Sequence, residues 1–326
     1  MSDTGIVVIG RNEGERLRRC LESLPAVPVL YVDSGSSDGS VALAQGLGVA
    51  TLALDPALPF TAARARNEGA AALLARHSGL TYLQTIDGDC YLAPGWIDAA
   101  RAHLDAADRT LGAVYGVLRE VAPDRSIYNW LCDREWASHA GPTPYFGGLT
   151  FFRAACFPLA ARYDATLIAG EERDLSIRLG NQGWRFEALA APMAWHDAEM
   201  TRFGQWWARA TRGGVALTAL ARRHRGDFRR RFLSMALWGA LLPLTLLLAA
   251  AAAIIEGSAV AAWLAALLAA GYLIQMFRIA TKAAGSPAQR LALGGFTMLA
   301  KTAQCLGALR ALARQPRLIE YRSIDG

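Results

Sequence analysis

The 326 residues carry a formal charge of +6, which on its own admits a nucleic-acid binder; its placement argues against one. Six arginines fall between Arg222 and Arg231, directly before a long apolar run, with Phe228 as the one Phe, Tyr or Trp among them, too few for the run of aromatics a base-stacking surface requires. Five scattered cysteines, Cys20, Cys90, Cys132, Cys156 and Cys305, have no metal-binding spacing and no disulfide framework, which fits a reduced compartment.

From the N-terminus the chain alternates strand-like and helix-like segments. Ile6–Ile9 is an apolar run of strand length followed at once by charge, so it reads as a strand and not as a signal peptide. A helix is predicted over Glu13–Leu24, a strand over Val29–Asp33, a helix over Ser40–Leu47, a strand over Val49–Leu54, a helix over Thr61–Ala75 and a fourth strand over Thr81–Ile86. This βαβα order predicts an α/β domain with a mostly parallel sheet and its ligand crevice at the carboxyl ends of the strands.

Polar clusters follow the strands. Strand one ends in Gly10-Arg11-Asn12-Glu13, strand two in Asp33 to Asp38, and strand four in Asp87-Gly88-Asp89. Turn chemistry explains any one of them, but not three at the ends of three of the first four strands. The first loop lacks the G-x-G-x-x-G spacing of dinucleotide folds, and no Walker lysine loop is present, which excludes a dehydrogenase and the common nucleoside triphosphatases. Two carboxylates one residue apart at a strand end can ligate a hard divalent cation that keeps its other positions for phosphate and water.

The segments V-V-I-G-R-N-E-G, V-D-S-G-S-S-D-G-S, A-R-A-R-N-E-G (Ala63–Gly69) and D-G-D-C together resemble the nucleotide-binding half of family 2 glycosyltransferases of the GT-A fold. The resemblance implies that Asp33 contacts the nucleobase and that Arg11, Glu13, Asp38, Arg64, Arg66 and Asn67 surround the nucleotide or its phosphates. It implies further that Asp89 ligates Mg²⁺ or Mn²⁺ with Asp87 beside it, and that His196 in A-W-H-D binds the metal or the diphosphate. Tyr145–Arg153 resembles the strand lining the sugar and acceptor site, where Gly147 and Gly148 permit close approach. Ala169–Leu179 resembles the family's acidic helix start, with Glu172 standing where the family has aspartate; the base is therefore one of Glu171, Glu172 and Asp174, with Glu172 preferred. The implied reaction is inverting transfer from a nucleotide sugar, UDP-linked by default, to a hydroxyl of a lipid-linked or glycan acceptor. A polyprenyl-phosphate acceptor is the alternative, and a non-catalytic nucleotide-binding membrane protein a third reading.

Near Leu233 the composition changes. Residues 1–199 read as the GT-A domain and 200–232 as an amphipathic, arginine-rich juxtamembrane segment. Leu233–Ile255 is an uncharged stretch long enough to cross a bilayer, with Pro243 inside it, and Ala259–Phe277 is a second, so 233–277 reads as a transmembrane hairpin. Arg222–Arg231, Arg278 and Lys282 flank it as cytoplasmic loops are flanked, which predicts an inner-membrane protein with its catalytic domain in the cytoplasm and contacts to membrane lipids. In 278–326, Leu291–Leu309 holds Lys301 and Gln304 in its interior; an interfacial helix and a third span are the two readings.

Overall fold

The structure, a computed structural model, describes residues 3–136, 139–157, 162–224 and 226–313, the side chain of Asp227 apart. The chain divides into two compact units, Met1–Thr201 and Arg202–Arg317.

The first unit holds β1 (Thr4–Gly10), α1 (Glu15–Glu22), β2 (Val29–Asp33), α2 (Ser40–Gly46), β3 (Ala50–Ala53), α3 (Ala62–Arg76), β4 (Tyr82–Asp87) and β5 (Cys90–Leu92). It continues with α4 (Trp96–Ala106), β6 (Leu111–Glu120), α5 (Ile127–Glu135), β7 (Gly141–Thr143), β8 (Thr150–Arg153), α6 (Glu171–Gly180) and β9 (Arg185–His196). The strands form one sheet in the order β3-β2-β1-β4-β8-β6-β9-β5, with β7 on β9.

β1 is uncharged and buried along nearly its whole length because it is central, and its alternate residues feed two cores. Ile6 and Val8 pack with Leu17 and Cys20 of α1 on one face, while Val7 and Ile9 pack with Ala63, Ala65, Ala70 and Leu73 of α3 on the other. The first four strands are parallel, joined by helical crossovers. From β8 onward the sheet is mixed: β8 runs antiparallel to β4 and β6, and β5 antiparallel to β9. The predicted strand over Tyr145–Arg153 forms only at Thr150–Arg153. Its first half is held off the ladder, with the Phe146 N–H donating to Ser176 Oγ of α6 at 3.1 Å.

α3 carries the arginines of the A-R-A-R-N-E-G segment, so its seat on the sheet fixes their aim. Thr61 caps it, its hydroxyl accepting the Arg64 N–H at 3.1 Å. Gly69 lies flat on the sheet: a Cβ there would meet Val7 Cγ1 at 2.5 Å and Val32 Cγ2 at 2.6 Å. Gly69→Val is therefore expected to destabilise the protein by about 1–3 kcal/mol through overpacking, a loss larger than the helix-propensity gain of under ~1 kcal/mol. A denaturant midpoint equal to that of the wild type would show that the sheet yields without cost.

The second unit is helical: α7 (Phe203–Arg223), α8 (Asp227–Ala236), a π-helical turn (Leu237–Leu241), α9 (Leu242–Glu256), α10 (Ala259–Thr281) and α11 (Pro287–Ala313). Among the described residues two helices are long and apolar enough to cross a membrane, Phe228–Glu256 and Ala259–Thr281. The first starts five residues earlier than its uncharged core because α8 runs on into it. Pro243 sits in the first turn of α9, right after the π turn, where the helix departs from regular α geometry. α11 covers Leu291–Leu309 and packs along α7 and α10; Phe296 meets Trp206 edge-on at 4.9 Å. The predicted tail beyond 313 lies outside the described residues.

Candidate active site

The loops after β1 and β2 are laced together. Asn12, at φ 57°, donates its N–H to Ser36 Oγ at 2.9 Å, and its Oδ1 accepts the Ser37 N–H at 2.7 Å. Asp33 ends β2 buried, with Oδ2 accepting the N–H groups of Gly35 and Ser36 and Oδ1 accepting the Tyr31 hydroxyl. Asp38 accepts the N–H and hydroxyl of Ser40 at the start of α2. Arg11 lies over the Phe60 ring, 5.4 Å from its centroid. Glu13 points back toward the aspartate motif: burial, then the charge of Asp89, pushes its carboxyl up to about 7, against the pull of Arg16 at 2.9 Å.

On α3 the predicted residues divide their tasks. Arg64 donates to Glu68 at 2.6 Å and to the carbonyls of Asp55 and Leu58 at 2.9 Å, tying down the loop that leads into α3. Asn67 exchanges two hydrogen bonds with the backbone of Tyr163. Arg66, between them, is buried and bridges the two acidic motifs. Its Nη2 donates to Asp87 Oδ1 at 2.8 Å, while Nη1 donates to Glu171 Oε1 at 2.9 Å and Glu172 Oε1 at 3.4 Å. Gly148 makes room for this guanidinium, since a Cβ there would stand 2.4 Å from Arg66 Nη2. A Cβ at Gly147 would meet no neighbour, so the two glycines are not equivalent.

The acidic helix start separates its three carboxylates by environment. Asp174 is buried and accepts from Arg178 at 2.8 Å. The Glu171 side chain is 6% exposed and that of Glu172 22%. Burial first, then the charge of Glu172, raises the Glu171 carboxyl from 4.5 to about 8, with Arg66 opposing. Folded Glu171 thus holds a proton that the unfolded chain releases above 4.5, so its stabilising contribution is full below that pH and lost as pH rises through about 8. The melting temperature should fall across that window, and Glu171→Gln should flatten the fall; an unchanged profile in the variant would assign the slope elsewhere.

Asp89 and His196 meet because β5 runs antiparallel to β9 with Cys90 opposite His196. His196 Nε2 lies 3.3 Å from Asp89 Oδ2, and Cys90 Sγ lies 3.4 Å from Asp89 Oδ1. One donor atom from each of Asp89, Cys90 and His196 falls within 4.8 Å of the others. Burial alone would raise the Asp89 carboxyl, but His196 and Arg16 hold it down at about 2, so it is ionised at any working pH. A carboxylate and an imidazole at this spacing fit a divalent cation, and nitrogen beside oxygen suits Mn²⁺ better than Mg²⁺. Asp87, expected beside the metal, faces Arg66 and stands outside this donor group. The sequence reading missed Cys90 as a neighbour of His196, because cross-strand register between segments a hundred residues apart leaves no local pattern. A cleft of about 500 Å³ is lined in part by Glu13, Arg16, Arg19, Arg125, Asp197 and Glu199, of which Asp197 follows His196 in sequence.

Residues 5–162 match the family model described as glycosyl transferase family 2. Among solved structures, the mannosyltransferase PcManGT from Pyrobaculum calidifontis, in complex with GDP-Man and Mn²⁺, aligns with a TM-score of 0.62 at 21% identity, over 95% of this chain and 87% of that one. GalNAc-T7 with UDP, GalNAc and Mn²⁺ aligns with a TM-score of 0.52 at 15% identity, over 73% of this chain and 51% of that one. These likenesses establish the GT-A fold. No curated protein matches the chain by sequence.

Proposed function

We propose that this chain, whose residues 5–162 match the family 2 glycosyltransferase model, is a membrane-associated, cation-dependent, inverting enzyme. It transfers a sugar from a nucleoside diphosphate donor to a hydroxyl of a lipid-linked or glycan acceptor. The observation that carries this reading is the Arg66 bridge, which sets Asp87 of the aspartate motif and Glu171 and Glu172 of the acidic helix around one guanidinium.

In this reading Asp89 and His196 hold the cation. When bound, the cation stabilises the negative charge that develops on the leaving diphosphate. Glu172 takes the proton of the attacking hydroxyl: Asp174 is committed to Arg178, Glu171 is buried and keeps its proton at neutral pH, and Glu172 is the most accessible of the three. The neutrality of Glu171 also limits the repulsion that three ionised carboxylates around Arg66 would suffer. Asp33, Asp38, Arg11, Arg64 and Asn67 act for the nucleotide mainly by shaping the loops on which it rests, since each is engaged with its own surroundings.

Two apolar helices support membrane association. The arginines before the first helix, with Arg278 and Lys282 at the end of the second, support a cytoplasmic catalytic domain in the inner membrane. The deciding experiment is a donor-hydrolysis and transfer screen of the purified full chain with UDP-sugars and GDP-mannose, each with Mn²⁺ or Mg²⁺. GDP-mannose belongs in it because the mannosyltransferase PcManGT, whose fold this chain resembles, was solved with that donor. No turnover or binding of any donor would overturn the reading. Transfer to a polyprenyl phosphate that survives Glu172→Gln would instead assign the anionic acceptor, which needs no base.

A further inference from the structure

We propose that Glu120 is a positioning residue for the cation site, acting through His196; this rests on the cation reading above. Glu120 ends β6, and β6 pairs with β9 so that Glu120 stands directly opposite His196, as Cys90 does from β5. The register of three strands therefore places a carboxylate beside the imidazole on the side away from Asp89. Glu120 Oε2 lies 3.6 Å from His196 Nδ1, while Nε2 faces Asp89 at 3.3 Å. The Trp136 ring, its centroid 4.4 Å from that of the imidazole at 59°, restricts the ring's tilt.

The Glu120 side chain is fully buried, and among the described residues it accepts hydrogen bonds from neutral groups. Oε1 accepts from Asn129 Nδ2 and Oε2 from the Ala198 N–H, both at 3.2 Å. Asn129 is itself oriented by accepting the Met200 N–H at 2.9 Å, and the Glu120 N–H is anchored on Asp133, which also takes the Arg119 fork. A buried carboxylate that two neutral amides support is costly without a positive partner. The group that gains from a negative charge here is His196. A carboxylate at Nδ1 favours the proton there and leaves the Nε2 lone pair for a metal.

The test is Mn²⁺ affinity of the full chain, measured from the free-ion electron paramagnetic resonance signal, for wild type, Glu120→Gln, His196→Ala and the double variant. Glu120→Gln should bind Mn²⁺ about 10- to 100-fold more weakly, with a wild-type melting temperature, and the loss should vanish in the His196→Ala background. Wild-type affinity in Glu120→Gln, or an equal loss with and without His196, overturns the proposal alone. A wild-type protein that binds no Mn²⁺, or a His196→Ala variant that binds it as the wild type does, overturns the cation reading beneath it. Should Glu120→Gln not fold, Glu120→Asp replaces it: the charge is kept but withdrawn from the ring by one methylene, affinity should fall only where His196 is present, and wild-type affinity overturns the proposal.

Discussion

Glu172→Gln should lower the rate of sugar transfer by about 10²–10⁴-fold, the usual contribution of a positioned general base, while leaving donor binding intact. The amide keeps the shape of the side chain and an oxygen for Arg66 Nη1, which the carboxylate meets at 3.4 Å, so the bridge to Asp87 survives. It cannot take a proton. Slow donor hydrolysis should be lost in parallel with transfer if water enters as an alternative nucleophile. The same change at Asp174 should act differently: its carboxylate is held by Arg178 within the helix, so Asp174→Asn should lower stability before it lowers the rate constant of the folded enzyme. Full transfer to a hydroxyl acceptor by Glu172→Gln, with the melting temperature unchanged, would move the base off Glu172.

Legibility of the molecule from its sequence followed the range of the interactions that decide each feature. The first four strands and their crossover helices could be read because each depends on a local period: continuous apolar runs for buried strands and small residues on the sheet-facing side of α3. The mixed half could not be read as closely, since the direction of β8 and the pairing of β9 with both β5 and β6 are settled by contacts between distant segments. The site divides in the same way. The motif carrying Arg66 was visible, but its link to the acidic helix depends on Gly69 seating α3 and Gly148 leaving space for the guanidinium, two steric facts with no sequence period. His196 was found by position relative to a family pattern; Glu120 left no sign, because a glutamate at a strand end is ordinary until the register sets it against a histidine.

Asp89→Asn should abolish most cation-stimulated turnover, lowering kcat/KM by about 10²–10³-fold, with Mn²⁺ affinity falling alongside it. The reasoning starts from charge. Asp89 is held down at about 2 by His196 and Arg16 against its burial, so it carries its negative charge near neutral pH, and asparagine removes that charge with almost no change in volume. Asp87 cannot substitute, since its Oδ1 is bound to the buried Arg66 at 2.8 Å, and drawing it toward a cation would leave a buried guanidinium short of a partner, at a cost of several kcal/mol. The two aspartates of the motif are therefore not interchangeable: Asp87→Asn should act chiefly on stability and on the placement of Glu172, Asp89→Asn chiefly on metal binding. Measuring Mn²⁺ affinity and melting temperature for both variants separates these effects. Equal loss of metal affinity in the two would mean that both carboxylates ligate and that Arg66 releases Asp87 when the donor arrives.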